Sequence, residues 1–261
     1  MVYTIAISNE KGGVAKTTTA LSLGAALAEV GQKVLLVDLD PQANLTLALG
    51  LEPGKIERTS ANLLLDDTPL LESRLGTNFP NLELIPGSNK LEQAEQALSV
   101  HMNFASRLQN RIETADPLPY DFIIMDCPPS LGAITVNALT AANLLIIPTQ
   151  AEYFSAYALR DMMATVRQVR NKDNPNLAYR ILVTLLDQRN RAHRDIRSQL
   201  ERAFGIGLFT TVIEIDTKLR ESPILGLPIT QYKPNSRGAL QYRSLAEELI
   251  VYVQQTNSEA A

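Results

Sequence analysis

The chain has 261 residues, 45% of them apolar and 20% charged, the composition of a globular protein long enough to bury a large core. One cysteine, Cys127, excludes an internal disulfide framework and any zinc or iron–sulfur site built from the cysteines of one chain. The net charge of −4 argues by itself against a polyanion partner, but it averages unlike regions: residues 1–159 hold 9 Lys and Arg against 17 Asp and Glu, residues 160–243 hold 15 against 8, and the last 18 residues hold 3 acids and no base.

In chain order, compact apolar runs rich in β-branched residues alternate with stretches of helical period. Residues 3–8 predict a strand and 17–30 a helix, which Gly31 is placed to end. A strand at 33–37 follows, then helices at 90–99 and 104–113, a strand at 122–125 and a helix at 131–142. The remainder predicts a strand at 144–147, a helix at 156–170, a strand at 181–186, a helix at 194–204, a strand at 211–215 and a helix at 237–253. Continuous rather than alternating apolarity belongs to strands covered on both faces. The expectation is therefore an α/β fold, one doubly wound, mostly parallel sheet with helices on both faces, in a single domain over residues 1–261. No run approaches the ~20 apolar residues that span a bilayer, and Met1 to Glu10 has no basic n-region, so the expected location is cytoplasmic. His101 and His193 lie in distant segments and predict no shared metal site.

The first predicted strand runs through Asn9 and Glu10 into Lys11, Gly12, Gly13, Val14, Ala15, Lys16, Thr17, Thr18 and Thr19, where the first helix begins. Strand, glycine loop and helix start are the context of a phosphate site: glycines let backbone N–H groups approach phosphate oxygens, and the helix start adds partial positive charge. Lys16 adds a full charge, and the Thr17 hydroxyl can ligate Mg²⁺. The common pattern G-x-x-x-x-G-K-[ST] is not met, because Glu10 and Ala15 stand at its glycine positions; the variant K-G-G-x-G-K-[ST] fits with one miss. Two further strands end in carboxylates, one at Asp38 and Asp40, the other at Asp126. Carboxyl ends of strands face the ligand crevice in open α/β sheets, so these three acids are expected to converge on the loop. Cys127 has no evident base partner and reads as a core residue.

These segments resemble the ParA/Soj family of partition ATPases, within the deviant-Walker group that includes MinD. The resemblance runs through Lys11 to Thr19, Asp38 to Gln42, Asp126 to Gly132, Asn137 to Leu139, Pro148 to Tyr153, Thr184 to Arg189, Glu221 to Pro223 with Gly226, Pro228 and Ile229, and Ser236 to Ala239. It is to the short form, without an N-terminal helix-turn-helix. It implies an ATP-dependent homodimer in which Lys11 reaches the partner's phosphates, Lys16 holds the β/γ-phosphates, Thr17 the Mg²⁺ and Thr18 the α-phosphate. Asp40 would orient the hydrolytic water and Asp126 would act at the metal. It further implies nucleoid-associated, non-specific binding to double-stranded DNA and release after a ParB-type or cargo-adaptor partner stimulates hydrolysis.

Two positions depart from the pattern. Ala15 stands where glycine is usual; a Cβ makes positive φ costly, so a helical backbone is expected there. Glu214, Ile215 and Asp216 replace the Pro-Arg-Asn common in relatives near the adenine, leaving Glu214 and Asp216 as the expected base-side residues. For DNA, Arg189 matches the family's contact position, and charge adds Arg220, Lys233 and Arg237. Four alternatives compete. An iron-protein-like ATPase needs two cysteines per chain, and a MinD-like membrane role needs a basic amphipathic tail, which 247–261 lacks. A biosynthetic ligase of the same superfamily is disfavoured by Lys11 and the basic third, and Ala15 keeps a weakly hydrolysing nucleotide switch open.

Overall fold

The structure, a computed structural model, describes residues 2–66, 68–100, 104–152 and 155–260. His101 and Tyr153 lie outside them. The strands are β1 (Tyr3–Ile7), β2 (Val34–Asp38), β3 (Leu75–Gly76), β4 (Leu82–Ile85), β5 (Phe122–Asp126), β6 (Leu144–Gln150) and β7 (Ala178–Thr184). They form one sheet in the order β3-β4-β2-β5-β1-β6-β7, parallel except where β3 runs against β4. Around them lie α1 (Lys16–Glu29), α2 (Asn44–Ala48), α3 (Ser60–Leu65), α4 (Lys90–Ser99), α5 (Arg107–Thr114) and α6 (Ala133–Ala141). The chain continues with α7 (Ser155–Lys172), α8 (Arg191–Phe204), α9 (Lys218–Glu221), α10 (Ile229–Tyr232) and α11 (Arg237–Ala260).

Alternate strand residues feed two cores, as a two-residue side-chain period requires. Ile5, Ile7, Leu36, Ile124 and Ile146 pack with α1 and α11 on one face. Ala6, Leu35, Val37, Ile123, Met125 and Ile147 pack with α4, α6 and α7 on the other. From β1 the chain winds outward to β4 and returns to β5 beside β1; it then moves the other way through β6 and β7. A reversal of this kind opens a crevice at the carboxyl ends of the strands. The predicted doubly wound sheet is therefore what forms.

Two differences have local causes. The short β4 carries Glu83 at its centre, so its apolar run is too broken to read as a buried strand. Residues 211–215 form no strand. The amides of Thr210 and Thr211 bond the Glu248 carboxylate of α11, at 2.7 and 2.9 Å, instead of β7. Only Ile213 and Ile215 reach the neighbouring backbone there, leaving a single bridge between Leu186 and Glu214.

α1 and α11 meet at a buried polar contact, Thr19 Oγ1 to Tyr242 Oη at 3.0 Å, with Tyr242 fully buried. Tyr242→Phe removes one partner, but the Thr19 hydroxyl can turn to the carbonyl four residues back. The expected loss is therefore about 1 kcal/mol, near the mean for a hydrogen bond, read as a lower urea midpoint at unchanged slope.

Candidate phosphate-binding site

The segment after β1 is built as a turn held from both sides. Asn9 Oδ1 accepts from the Lys11 amide (3.0 Å), and its Nδ2 donates to the Pro148 carbonyl (2.7 Å). Gln150 Nε2 donates to the Gly13 carbonyl (3.0 Å), and Thr184 Oγ1 donates to the Val14 carbonyl (2.9 Å). The ends of β6 and β7 thus clamp the loop against the start of α1. Gly13 turns at φ 74°, a conformation that glycine adopts without steric cost.

Ala15, expected to be helical, instead sits left-handed at φ 68°, ψ 37°. The reason lies in its neighbours: Val14 is buried with its carbonyl pinned by Thr184, and the Ala15 carbonyl accepts the Thr19 amide at 2.9 Å. The loop must turn at residue 15 to satisfy both, and the Cβ bears about 1–2 kcal/mol of strain. No side chain caps the helix that follows, so the first amides of α1 open toward a cavity of about 470 Å³.

That cavity is lined by Gly12, Gly13, Ala15, Lys16, Thr17 and Thr18 from the loop, by Asp40, Gln42, Asn44 and Pro129, and by Leu185, Ile213, Ile215, Asp216, Thr217, Leu219 and Arg220 at the other end. Lys16 is buried, its Nζ donating to the carbonyls of Asn9 (2.9 Å) and Lys11 (3.2 Å). Burial lowers its pKa, and Asp126, Cys127 and Asp40 oppose that shift.

The sheet register places Asp38 of β2 beside Asp126 of β5. Both are fully buried, yet their surroundings differ. Asp38 accepts from the Thr46 amide (2.9 Å), the Thr46 hydroxyl (2.7 Å) and the Asp40 amide (3.2 Å). Burial still pushes its pKa up to about 6 against those bonds. Neither oxygen of Asp126 accepts a hydrogen bond. Burial first and Asp38 next hold its pKa well above the usual carboxylate range, while the nearby Thr17 hydroxyl and Lys16 oppose. Asp40 lines the cavity, with Oδ1 accepting from the Gln42 amide at 2.9 Å. Asp38 is thus a structural tie from β2 to α2, whereas Asp126 is an acceptor without a donor.

Lys11 points away from the cavity. Its Nζ pairs with Glu152 (2.5 Å) and donates to Gln150 Oε1 (3.2 Å), both of its own chain. Glu214 also lies outside the cavity lining: its carboxylate accepts from Gln188 Nε2 (2.6 Å) and Arg237 (2.8 Å). Asp216 lines the cavity, but its oxygens accept the amides of Lys218 and Gly238, both at 2.9 Å, where α9 and α11 begin.

The four basic residues expected to meet DNA separate. Arg220 lines the nucleotide-sized cavity. Lys233 and Arg237 line an open groove of about 680 Å³ with Lys218 and Ser236, and Arg237 also donates to the Ile215 carbonyl. Arg189 projects elsewhere, its side chain 91% exposed and paired with Asp187 at 3.0 Å. Asn9, Gln150, Glu152 and Thr184 escaped notice as site residues. Their signal was position: each ends or closely follows a buried strand at the same end of the sheet as Asp38 and Asp126.

Sheet topology, loop and cavity define a P-loop nucleoside-triphosphatase fold. The AAA domain family matches residues 2–179. The sporulation initiation inhibitor protein Soj of Bacillus subtilis is 41% identical over 246 residues, 94% of this chain and 97% of that protein. The chromosome partitioning protein ParA of Caulobacter vibrioides is 35% identical over 259 residues, 98% and 97% of the two chains. Among solved structures, cobyrinic acid a,c-diamide synthase from Mycobacterium smegmatis with bound ADP and magnesium superposes with TM-score 0.83 at 34% identity, covering 97% of this chain and 96% of that one. The septum site-determining protein MinD of Pyrococcus horikoshii, complexed with Mg-ADP, gives TM-score 0.75 at 28% identity, covering 95% and 96%. The chain belongs to the ParA/Soj family of partition ATPases, as the motifs imply.

Replacing Ala15 by glycine removes the left-handed strain but makes the unfolded chain more flexible, which costs about 0.5–1 kcal/mol. The net expectation is a gain of up to about 1.5 kcal/mol in nucleotide-free stability, seen as a higher melting temperature in Ala15→Gly.

Proposed function

We propose that this protein binds and hydrolyses ATP with Mg²⁺, dimerises when ATP is bound, and in that state holds double-stranded DNA without sequence preference. The observation that carries the reading is the loop end of the cavity, lined by the uncapped start of α1, buried Lys16 and Thr17, with the buried Asp126 carboxylate beside Thr17. Two similar structures hold ADP and magnesium, which supports the same ligands here.

The donor set fits Mg²⁺. Asp126 and the Thr17 hydroxyl offer hard oxygens, and among the described residues no group of three or more His, Cys, Asp and Glu gathers to cage a transition metal. Mg²⁺ held there with phosphate oxygens would neutralise charge developing on the phosphates. Gly12, Gly13, Val14, Ala15, Lys16, Thr17 and Thr18 would cradle the triphosphate, and Asp40, at the cavity wall, would orient the attacking water. The base would lie among Leu185, Ile213, Ile215 and Leu219, beside Asp216. Lys11 would exchange Glu152 for the partner's phosphates, a step that couples dimerisation to nucleotide.

Arg189 and the groove of Lys218, Lys233 and Arg237 would take DNA phosphates, in each subunit of the dimer. Stimulation by a ParB-type or cargo-adaptor protein, a nucleoid-associated cytoplasmic location and action as a single domain complete the proposal. A biosynthetic ligase is the second reading, favoured by the likeness to the cobyrinic acid synthase. Cys127 gives it no nucleophile for releasing ammonia from glutamine, since it is buried and burial pushes its thiol pKa up.

At low salt, the protein with ATP should be retained on DNA of arbitrary sequence, and Arg189→Ala should lose that retention; equal retention without nucleotide would refute DNA binding as a response to ATP. Asp40→Ala should dimerise with ATP and lower turnover about 100-fold or more, within the span of a lost general base. Normal turnover in that variant removes Asp40 from the mechanism. Turnover raised by a small carboxylic acid with ammonia, and not by DNA, would favour the ligase.

A further inference from the structure

The segment between Asp126 and α6 carries a tie from a different layer of the fold. Glu95, on α4, places both carboxylate oxygens on the start of α6: Oε1 accepts from the Ala133 amide at 2.6 Å and Oε2 from the Ile134 amide at 2.9 Å. Gly132 has an ordinary backbone, φ −81° and ψ −165°, so its glycine is not required by conformation. It is required by space, because a Cβ there would sit 2.1 Å from Glu95 Oε1. An acid from one helix thus caps the next, where the uncompensated amides and the helix dipole favour negative charge.

The tie lies at one end of a stiff connection to the cavity. At the other end, the Leu39 amide donates to the Asp126 carbonyl (2.9 Å) and the Cys127 amide to the Ile7 carbonyl (3.1 Å). Between the two anchors come Pro128 and Pro129, whose rings fix φ, then Ser130, whose carbonyl accepts from Thr135 Oγ1 at 2.6 Å. Pro129 lines the cavity. Only Ser130 and Leu131 separate Gly132 from Pro129, and the Thr135 bond holds Ser130, so little of the segment is left to absorb a displacement. α4 and α6 pack on the face of the sheet opposite α1, so this tie can shift without moving the loop that grips the phosphates.

We propose that Glu95 is a positioning residue for ATP hydrolysis. By capping α6 it sets segment 127–132, and through it the Pro129 wall of the cavity, while leaving nucleotide affinity to the loop and α1. The proposal rests on the ATPase reading of the site above, and goes beyond it by assigning rate control to a carboxylate outside the cavity.

The test compares Glu95→Ala, Glu95→Gln, Gly132→Ala and the Glu95→Ala/Gly132→Ala double variant with the parent, measuring fluorescent ATP binding and turnover. Glu95→Ala should lower kcat about tenfold or more and leave ATP affinity within about twofold, since a misplacement of about 1 Å costs on the order of 100-fold in rate. Glu95→Gln, keeping one acceptor, should fall between. Gly132→Ala should harm the parent but add nothing in the Glu95→Ala background, where its methyl meets no carboxylate; if Gly132→Ala alone does not fold, recovery in the double variant carries the same information. Unchanged kcat in Glu95→Ala, or parallel loss of kcat, affinity and thermal stability, overturns the proposal. A parent that never turns ATP over defeats the ATPase reading instead. Amide exchange then decides the tie: faster exchange at 127–134 with 9–19 unchanged in Glu95→Ala sustains it, and equal exchange overturns it.

Discussion

Two carboxylates on one rung of a buried sheet set the terms for the rest of this molecule. Asp38 and Asp126 are register partners at the ends of β2 and β5, both removed from water, with the buried Lys16 as the nearby cation. In a low-dielectric interior such a pair is costly unless each charge finds donors or a counter-charge. Asp38 finds donors, and the Thr46 bonds that satisfy it also fix where α2 begins beside the cavity. Asp126 finds none. The asymmetry separates an acid tied into the fold from one with little to hold it, although both end strands in the same way and look alike in sequence.

What could be read from sequence follows from how strongly each element announces itself. The parallel strands were legible because burial on both faces demands continuous apolar runs, and the loop because glycines, lysine and threonines coincide between a strand and a helix. The helix expected at 237–253 runs on to Ala260 through a polar stretch, where the Thr256 and Ser258 hydroxyls bond carbonyls one turn back. What failed was decided by partners distant in sequence. Glu248 takes the amides that would have made residues 211–215 a strand, and the clamp from Thr184 turns Ala15 left-handed. Arg237 looked like a free surface cation until Glu214 and the Ile215 carbonyl engaged it. Composition registers charges; only the fold says which of them are already spoken for.

The same ion pairs tie the basic groove to the Ile215 end of the cavity. Asp216 borders both spaces, and its two oxygens hold the first amides of α9 and α11. Arg237, in the groove, grips Glu214 and the carbonyl of Ile215, whose side chain lines the cavity. The groove and the Ile215 wall therefore share the contacts of one side chain, Arg237. A net charge of −4 conceals this arrangement because the acids that cancel the basic third do not lie apart from it: Asp187, Glu214 and Glu221 sit among its cations as ion-pair partners. The basic third is thus in part a set of ion pairs, and the charge it presents outside is first set by what each pair holds inside the protein.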